Sequence, residues 1–195
     1  GAVDFDVRAR RREGTMTLSG ATVAEGWDGR YALDDFPLDE WPDGRATGLR
    51  GRLADGEGTV AEREGRLDVT GDLEGRATTW FGATAARWRL ANVSGRMLPT
   101  PDLTADLSLC DVMFLGFHWD SVATPMKLGD RTLGFTGLAA SAGDSLVEMD
   151  GSARWDDAGW QVDASRAAFR SPDFDWHAEP PLRLSGNPRG VTFDG

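Results

Sequence analysis

Apolar and polar residues alternate along most of this chain, and each run breaks at Gly, Asp or Pro before it resumes. The clearest run is 146–155. Val147, Met149, Gly151, Ala153 and Trp155 fall on one face of an extended segment; Glu148, Asp150, Ser152 and Arg154 fall on the other. A period of two is the strand period. Beyond a turn, Trp160-Gln161-Val162-Asp163-Ala164 repeats it, and earlier Leu67, Val69, Gly71 and Leu73 alternate with Asp68, Thr70 and Asp72. One continuous apolar face backed by one charged face, with almost no helix, predicts a long curved sheet, apolar inside and wet outside.

The runs predict about fifteen or sixteen strands joined by short loops. The first three cover roughly Val3–Arg11, Thr15–Ala24 and Trp27–Leu33, with turns at Glu13-Gly14 and Glu25-Gly26. Residues 34–46 carry Pro37 and Pro42, which bar a central strand. They are expected to form a loop or short helical insertion anchored by Phe36, Leu38 and Trp41. Strands resume near 47–53, 57–63 and 66–73. Ala83–Ala86 could form a helical turn. Leu103–Leu109 is a strand, Val112–Ser121 is the most apolar stretch, and Pro125 is expected to end it. Further strands fall near 131–139, 145–155, 159–169, 173–178, 182–185 and 191–194. All 195 residues are taken as one elongated unit.

Composition narrows the function classes. Hydrophobic residues make up 40% and charged residues 27%, the balance of a folded soluble chain. No apolar run is long enough to span a bilayer as a helix. The formal charge of −11 argues against nucleic acid and against attraction to anionic headgroups. Cys110 is the single cysteine, so no internal disulfide forms. The chain starts without Met and enters a strand-like run at once, which suggests an internal piece of a longer protein.

Motifs for chemistry are missing. His118 beside Asp120, and His177 beside Trp176, fit solvent-facing strand residues better than half of a catalytic dyad. No P-loop, HExxH, GxSxG or GxGxxG occurs, and Asp34-Asp35 and Asp156-Asp157 lack the spacing of a calcium loop. Neither enzyme activity nor a metal or cofactor is expected. The 8 tryptophans could stack on sugars from an exposed platform or line an apolar space. Trp88, Trp155, Trp160 and Trp176 share parity with Leu90, Met149, Val162 and Phe174, which puts them on the apolar face. Alternation alone does not separate an open groove from a sealed core.

The order of features over residues 102–195 adds a resemblance. Asp102 to Leu109 follows the Asn92-Val93-Ser94-Gly95 turn and the Pro99–Pro101 break. Gly151-Ser152-Ala153-Arg154-Trp155, Trp160-Gln161-Val162 and Phe174-Asp175-Trp176 follow, leading to Pro180-Pro181-Leu182-Arg183-Leu184. Upstream, Leu67 to Gly75 has the same texture. Together these resemble the TamB branch of the AsmA-like family, periplasmic bridge proteins of the translocation and assembly module. The resemblance implies an all-β, elongated antiparallel sheet folded lengthwise into an open groove with an apolar interior. It implies phospholipid, or another acyl-chain lipid, as ligand and an outer-membrane TamA-like barrel protein as partner. It further implies a periplasmic location, with the full-length protein anchored in the inner membrane. Such a groove would be lined by Leu67, Val69, Leu73, Trp88, Leu90, Leu103, Leu107 and Leu109 in the first part. Val147, Met149, Trp155, Trp160, Val162, Phe174, Trp176, Leu182, Leu184, Val191 and Phe193 would continue it. Two other readings stay open: a scaffold that pairs its edge strands with outer-membrane β-barrel proteins, and a carbohydrate-binding β-sandwich. Edge-to-edge self-association is expected of unpaired edge strands.

Overall fold

The computed structural model describes residues 2–11, 14–40, 50–80, 83–114, 116–156, 158–178, 182–187 and 190–194. Among these residues the alternating runs form fourteen strands. They are β1 (Asp4–Arg11), β2 (Gly14–Val23), β3 (Gly26–Pro37), β4 (Arg50–Arg63), β5 (Arg66–Trp80), β6 (Ala83–Leu98) and β7 (Asp102–Phe114). The series continues with β8 (Phe117–Gly129), β9 (Thr132–Ala142), β10 (Ser145–Asp156), β11 (Gly159–Ser171), β12 (Phe174–Ala178), β13 (Leu182–Asn187) and β14 (Gly190–Asp194). A 3-10 turn, Leu38–Glu40, follows β3.

From β1 to β12 each strand pairs antiparallel with its sequence neighbour, and β13, which pairs β11 and β14, continues the sheet, so the described strands form one antiparallel sheet of meander type. β12 and β13 lie end to end along the same edge of β11, which pairs Ala167–Ser171 with the first and Trp160–Ala164 with the second. The sheet is curled and does not close into a barrel. At the β4–β5 turn Glu64 and Gly65 both have positive φ, as a type I′ hairpin needs.

A line of irregularities crosses the middle of the sheet from β6 to β13. Register shifts occur at 91–94 of β6, between Ala123 and Met126 of β8, and between Met149 and Gly151 where β10 meets β9. The shift between Asp150 and Gly151 leaves Ser165 of β11 as an extra residue, and the break between β12 and β13 lies beside it. A bulge bends its strand and sharpens the twist. Bulges aligned on successive strands therefore bend the sheet along one line, parallel to its long axis. Acidic side chains of the neighbouring strands satisfy the amides that the bulges free. Asp72 Oδ1 accepts the Asn92 N–H at 2.9 Å, and Asp150 Oδ1 accepts the Gly137 N–H.

Several expectations are corrected. The strands near 47–53 and 57–63 are one strand, β4, bent at Gly51 and Ala54. Ala83–Ala86 is strand, the start of the 16-residue β6. Residues 34–37 extend β3, and only Leu38–Glu40 leave it as a 3-10 turn; Trp41 and the rest of the 34–46 segment lie outside the described residues. Pro125 does not end a strand but sits within β8. It lies where the register of the β8–β9 ladder shifts, between Ala123 and Met126, an irregularity of the kind that tolerates Pro within a strand. Among the described residues there are fourteen strands, and the merger of two expected strands into the long, bulged β4 lowers the number below the fifteen or sixteen expected.

Candidate functional site

Directly opposed residues of antiparallel strands point to the same face. The register can therefore be followed as rows across the sheet. One row starts with Phe36 of β3, Leu53 of β4 and Gly75 of β5. It continues through Trp88, Leu109, Val122, Ala140 and Val147 on β6 to β10, then Phe169 of β11 and Trp176 of β12. On the other side of the bulge line a second row runs from Val60 and Val69 through Gly95, Leu103 and Leu128. It goes on to Leu133, Ala153, Val162 and Leu184. Both rows are apolar at every step. At about 4.8 Å per strand, each runs on the order of 40 Å.

The residues named from the sequence fall on this face. Leu73, Leu90 and Leu107 form a short row of their own between the two. Met149 stands opposite Leu138 and Ala167, and Leu182 opposite Ala164. Trp155 and Trp160 face each other at the end of the β10–β11 hairpin. Val69 and Leu182 are buried; Phe174 and Trp176 remain 55% and 40% exposed; Leu67 and the other expected lining positions up to Leu184 are half-buried. β14 brings Val191 and Phe193 opposite Gly186 and Leu184, but their side chains lie outside the described residues.

How the large rings lie explains the half-burial. Trp88 stands opposite Gly75, and a Cβ at Gly75 would come within 2.1 Å of the indole. Trp160 lies over Gly186 in the same way, at 2.4 Å, and Phe135 lies over Gly151. Tyr31 reaches across Gly58 and Gly71 and donates its hydroxyl to Thr70 O at 3.2 Å. Phe5 covers Gly20, which lets it meet Trp27 of β3 edge-to-face at 5.6 Å. Each glycine leaves a place for a ring to lie flat, so the aromatic side chains pave the sheet instead of standing off it. No large side chain among the described residues is fully buried. The face is a paved surface rather than an interlocked core.

The opposite face is charged and wet. Arg52 holds the Asp35 carboxylate with Nε and Nη2, and Arg76 Nη2 adds a contact at 3.0 Å. The hydrogen bond from Arg52 lowers the Asp35 pKa below the usual carboxylate value, with Arg76 helping. Asp163 is lowered likewise by Arg183 Nε at 2.7 Å and by the Gln161 amide. On the apolar side burial raises the Tyr31 pKa, helped by the Asp72 charge. His118 lies 3.8 Å from both Asp111 and Asp120, and His177 3.2 Å from Asp175, all of them exposed. Among the described residues no group of three or more His, Cys, Asp or Glu side chains is placed to hold a metal. The chemistry of the face is that of apolar contact.

The sequence reading left out two parts of this surface. β1 to β3 extend it with Val7, Leu18 and Tyr31 in one register row. The signal was present in the alternation of Met16, Leu18 and Gly20. Phe135, Met126 and Phe169 also belong to it, but the bulges at 136–137 and 165 shift their parity, which hides them from a strict period of two. No family model, curated protein or solved structure matches the chain.

Proposed function

We propose that this chain is a segment of a lipid conduit of the cell envelope, in which acyl chains lie along the apolar face. One observation carries the reading: two unbroken apolar rows cross the open, curled sheet on either side of a bend line, with most of their large side chains only half-buried. Each methylene moved from water to such a surface contributes about 0.8 kcal/mol. A row that is apolar at every strand offers a chain nearly the same surroundings at each step, so a lipid can slide without a large barrier. Headgroups would project past the open seam. The resemblance to TamB-like proteins supports a periplasmic setting, an inner-membrane anchor in the full-length protein and an outer-membrane TamA-like barrel as receiver.

Native mass spectrometry of the purified chain, with extraction of any co-purifying lipid, tests the proposal. Phospholipid-sized adducts are expected, displaced by added detergent. A chain that stays free of lipid after exposure to phospholipid vesicles would sink the conduit.

A second reading, a scaffold for outer-membrane β-barrel proteins, is favoured by the edges. Among the described residues β1 pairs only β2, β14 only β13 and β12 only β11, so these three strands offer ladder positions at their outer edges. Photo-crosslinkers at Val7 and Thr192 should capture nascent barrel strands if this reading holds.

A further inference from the structure

The β7–β8 hairpin departs from the rest of the molecule. Strand alternation stops at its tip: Met113, Phe114 and Phe117 follow one another around the turn and are 45%, 36% and 66% exposed. Phe114 and Phe117 are register partners, Met113 is opposite His118, and Gly116 takes the left-handed conformation of the turn. Several other turns end in charge or glycine, such as Glu64-Gly65, Asp130-Arg131 and Gly143-Asp144. Behind the tip the character changes at one level: Asp111 and Asp120 are exposed carboxylates flanking His118. Arg87 of β6, opposite Cys110, is exposed just behind them.

We infer that this tip dips into the surface of a lipid bilayer. An apolar cap that is exposed on both sides of a hairpin suits a fluid that surrounds it, whereas a protein groove would call for one apolar side. The carboxylates at Asp111 set the depth. Three residues of strand from Asp111 to Phe114 rise about 10 Å, the depth to which interfacial segments bury their apolar part. Tip-to-tip pairing of two copies would bring the Asp111 and Asp120 carboxylates of both together and is opposed by their repulsion. The chain's charge of −11 selects the membrane as well: a zwitterionic surface accepts the tip, and an anionic one repels the body behind it. The inference goes beyond the conduit reading and stands apart from it, since vesicle binding and lipid retention are measured separately.

Flotation of the full 195-residue chain with phosphatidylcholine vesicles is the test. The chain should float with the vesicles, and F114S/F117S should bind roughly tenfold or more weakly, as expected for removing two inserted rings. Leu98→Ser, which removes an exposed apolar residue at the opposite rim, should leave flotation unchanged. Including about 30 mol% phosphatidylglycerol should weaken binding by the wild-type chain, and raising the salt should not release it from phosphatidylcholine. The wild-type arms stand even if the double variant misfolds. Failure of the wild type to float, equal binding by a folded F114S/F117S, or tightening by anionic lipid would overturn the inference. So would a dimer in sedimentation analysis that depends on Phe114 and Phe117, which would assign the tip to self-association.

Discussion

The apolar face is built in two ways. From β2 to β8 it is packed with large aliphatic side chains: Leu33, Leu53, Val60, Val69, Val93 and Val112 are buried, and Leu38 of the 3-10 turn covers one end. From β9 to β14 the buried positions of this face are mostly alanines, Ala140, Ala164 and Ala167, beside Phe135 and Leu182, while Phe174 and Trp176 stay exposed. The same alternation thus yields a well-covered half and a shallow, open half. What differs is side-chain size at facing positions and the presence of a covering turn. If the molecule carries lipid, the open half is where a chain meets the largest accessible apolar surface, and the covered half holds the fold together.

Charge placed on each half gives the widest separation. Val69→Asp should destabilise by about 3–5 kcal/mol, because a buried charge has no partner there. Met149→Arg or Val162→Arg in the open half should keep the fold within about 1 kcal/mol, because the guanidinium can snorkel to the seam. Both should lose lipid. Urea denaturation read beside native mass spectrometry separates the outcomes, and equal unfolding by all three variants would erase the distinction between the halves. Ser152→Arg on the charged face is the matched control. Glu148 is unsuitable because it pairs with Arg170 at 3.0 Å.

The paved glycines sharpen the comparison. Gly75→Ala pushes against the Trp88 indole, which is tied by its Nε1–H to Thr78 Oγ1 at 2.7 Å and sits in the covered half. A loss of about 1–3 kcal/mol is expected, as for other overpacked sites. Gly186→Ala pushes against Trp160 in the open half, which has room to swing away. Its loss should stay under about 1 kcal/mol. Thermal melts of the two variants decide it, and a reversed order would contradict the assigned halves.

The bend line makes a smaller prediction. Asp150→Ala removes the acceptor of the Gly137 amide and the partner of Arg166, and should cost about 1–2 kcal/mol. Asp72→Ala should cost a similar amount through the Asn92 amide. Hydrogen exchange at Gly137 and Asn92 should rise in the respective variants and not elsewhere.

The least effect is electrostatic. Asp35 and Asp163 have folded-state pKa values below the usual carboxylate value. Their contribution to stability is present above the unfolded-state pKa and is lost as pH falls through the lowered folded values. Acid titration of stability should therefore be shallower in that range for Asp35→Asn and Asp163→Asn than for the wild type. Both groups are exposed, so the change should be small and should shrink with added salt.

Much of this molecule was legible in its sequence. The parity of Val147, Met149 and Trp155, of Trp160 and Val162, and of Leu103, Leu107 and Leu109 put each set on one face, and register then joined the sets into rows. The misses have physical causes. Pro125 looked like a terminator because Pro cannot donate to a ladder, yet the ladder is interrupted there by a bulge whose position depends on β9. Ala83–Ala86 looked helical because Ala favours helices in isolation. Pairing with Thr78–Trp80 and with Val112 overrode that preference. Residues beyond a bulge were lost to a strict period of two.

By itself the sequence determined that this chain forms strands joined by short turns and which side chains share a face, because alternation and turn residues act over a few neighbouring positions. The tertiary structure alone decided how far the face is covered, where the bend line runs and which edges stay open. Those depend on which residue of one strand stands opposite which residue of the next. The pairing of Gly75 with Trp88, of Gly186 with Trp160 and of Asp150 with the Gly137 amide joins positions that local pattern does not connect.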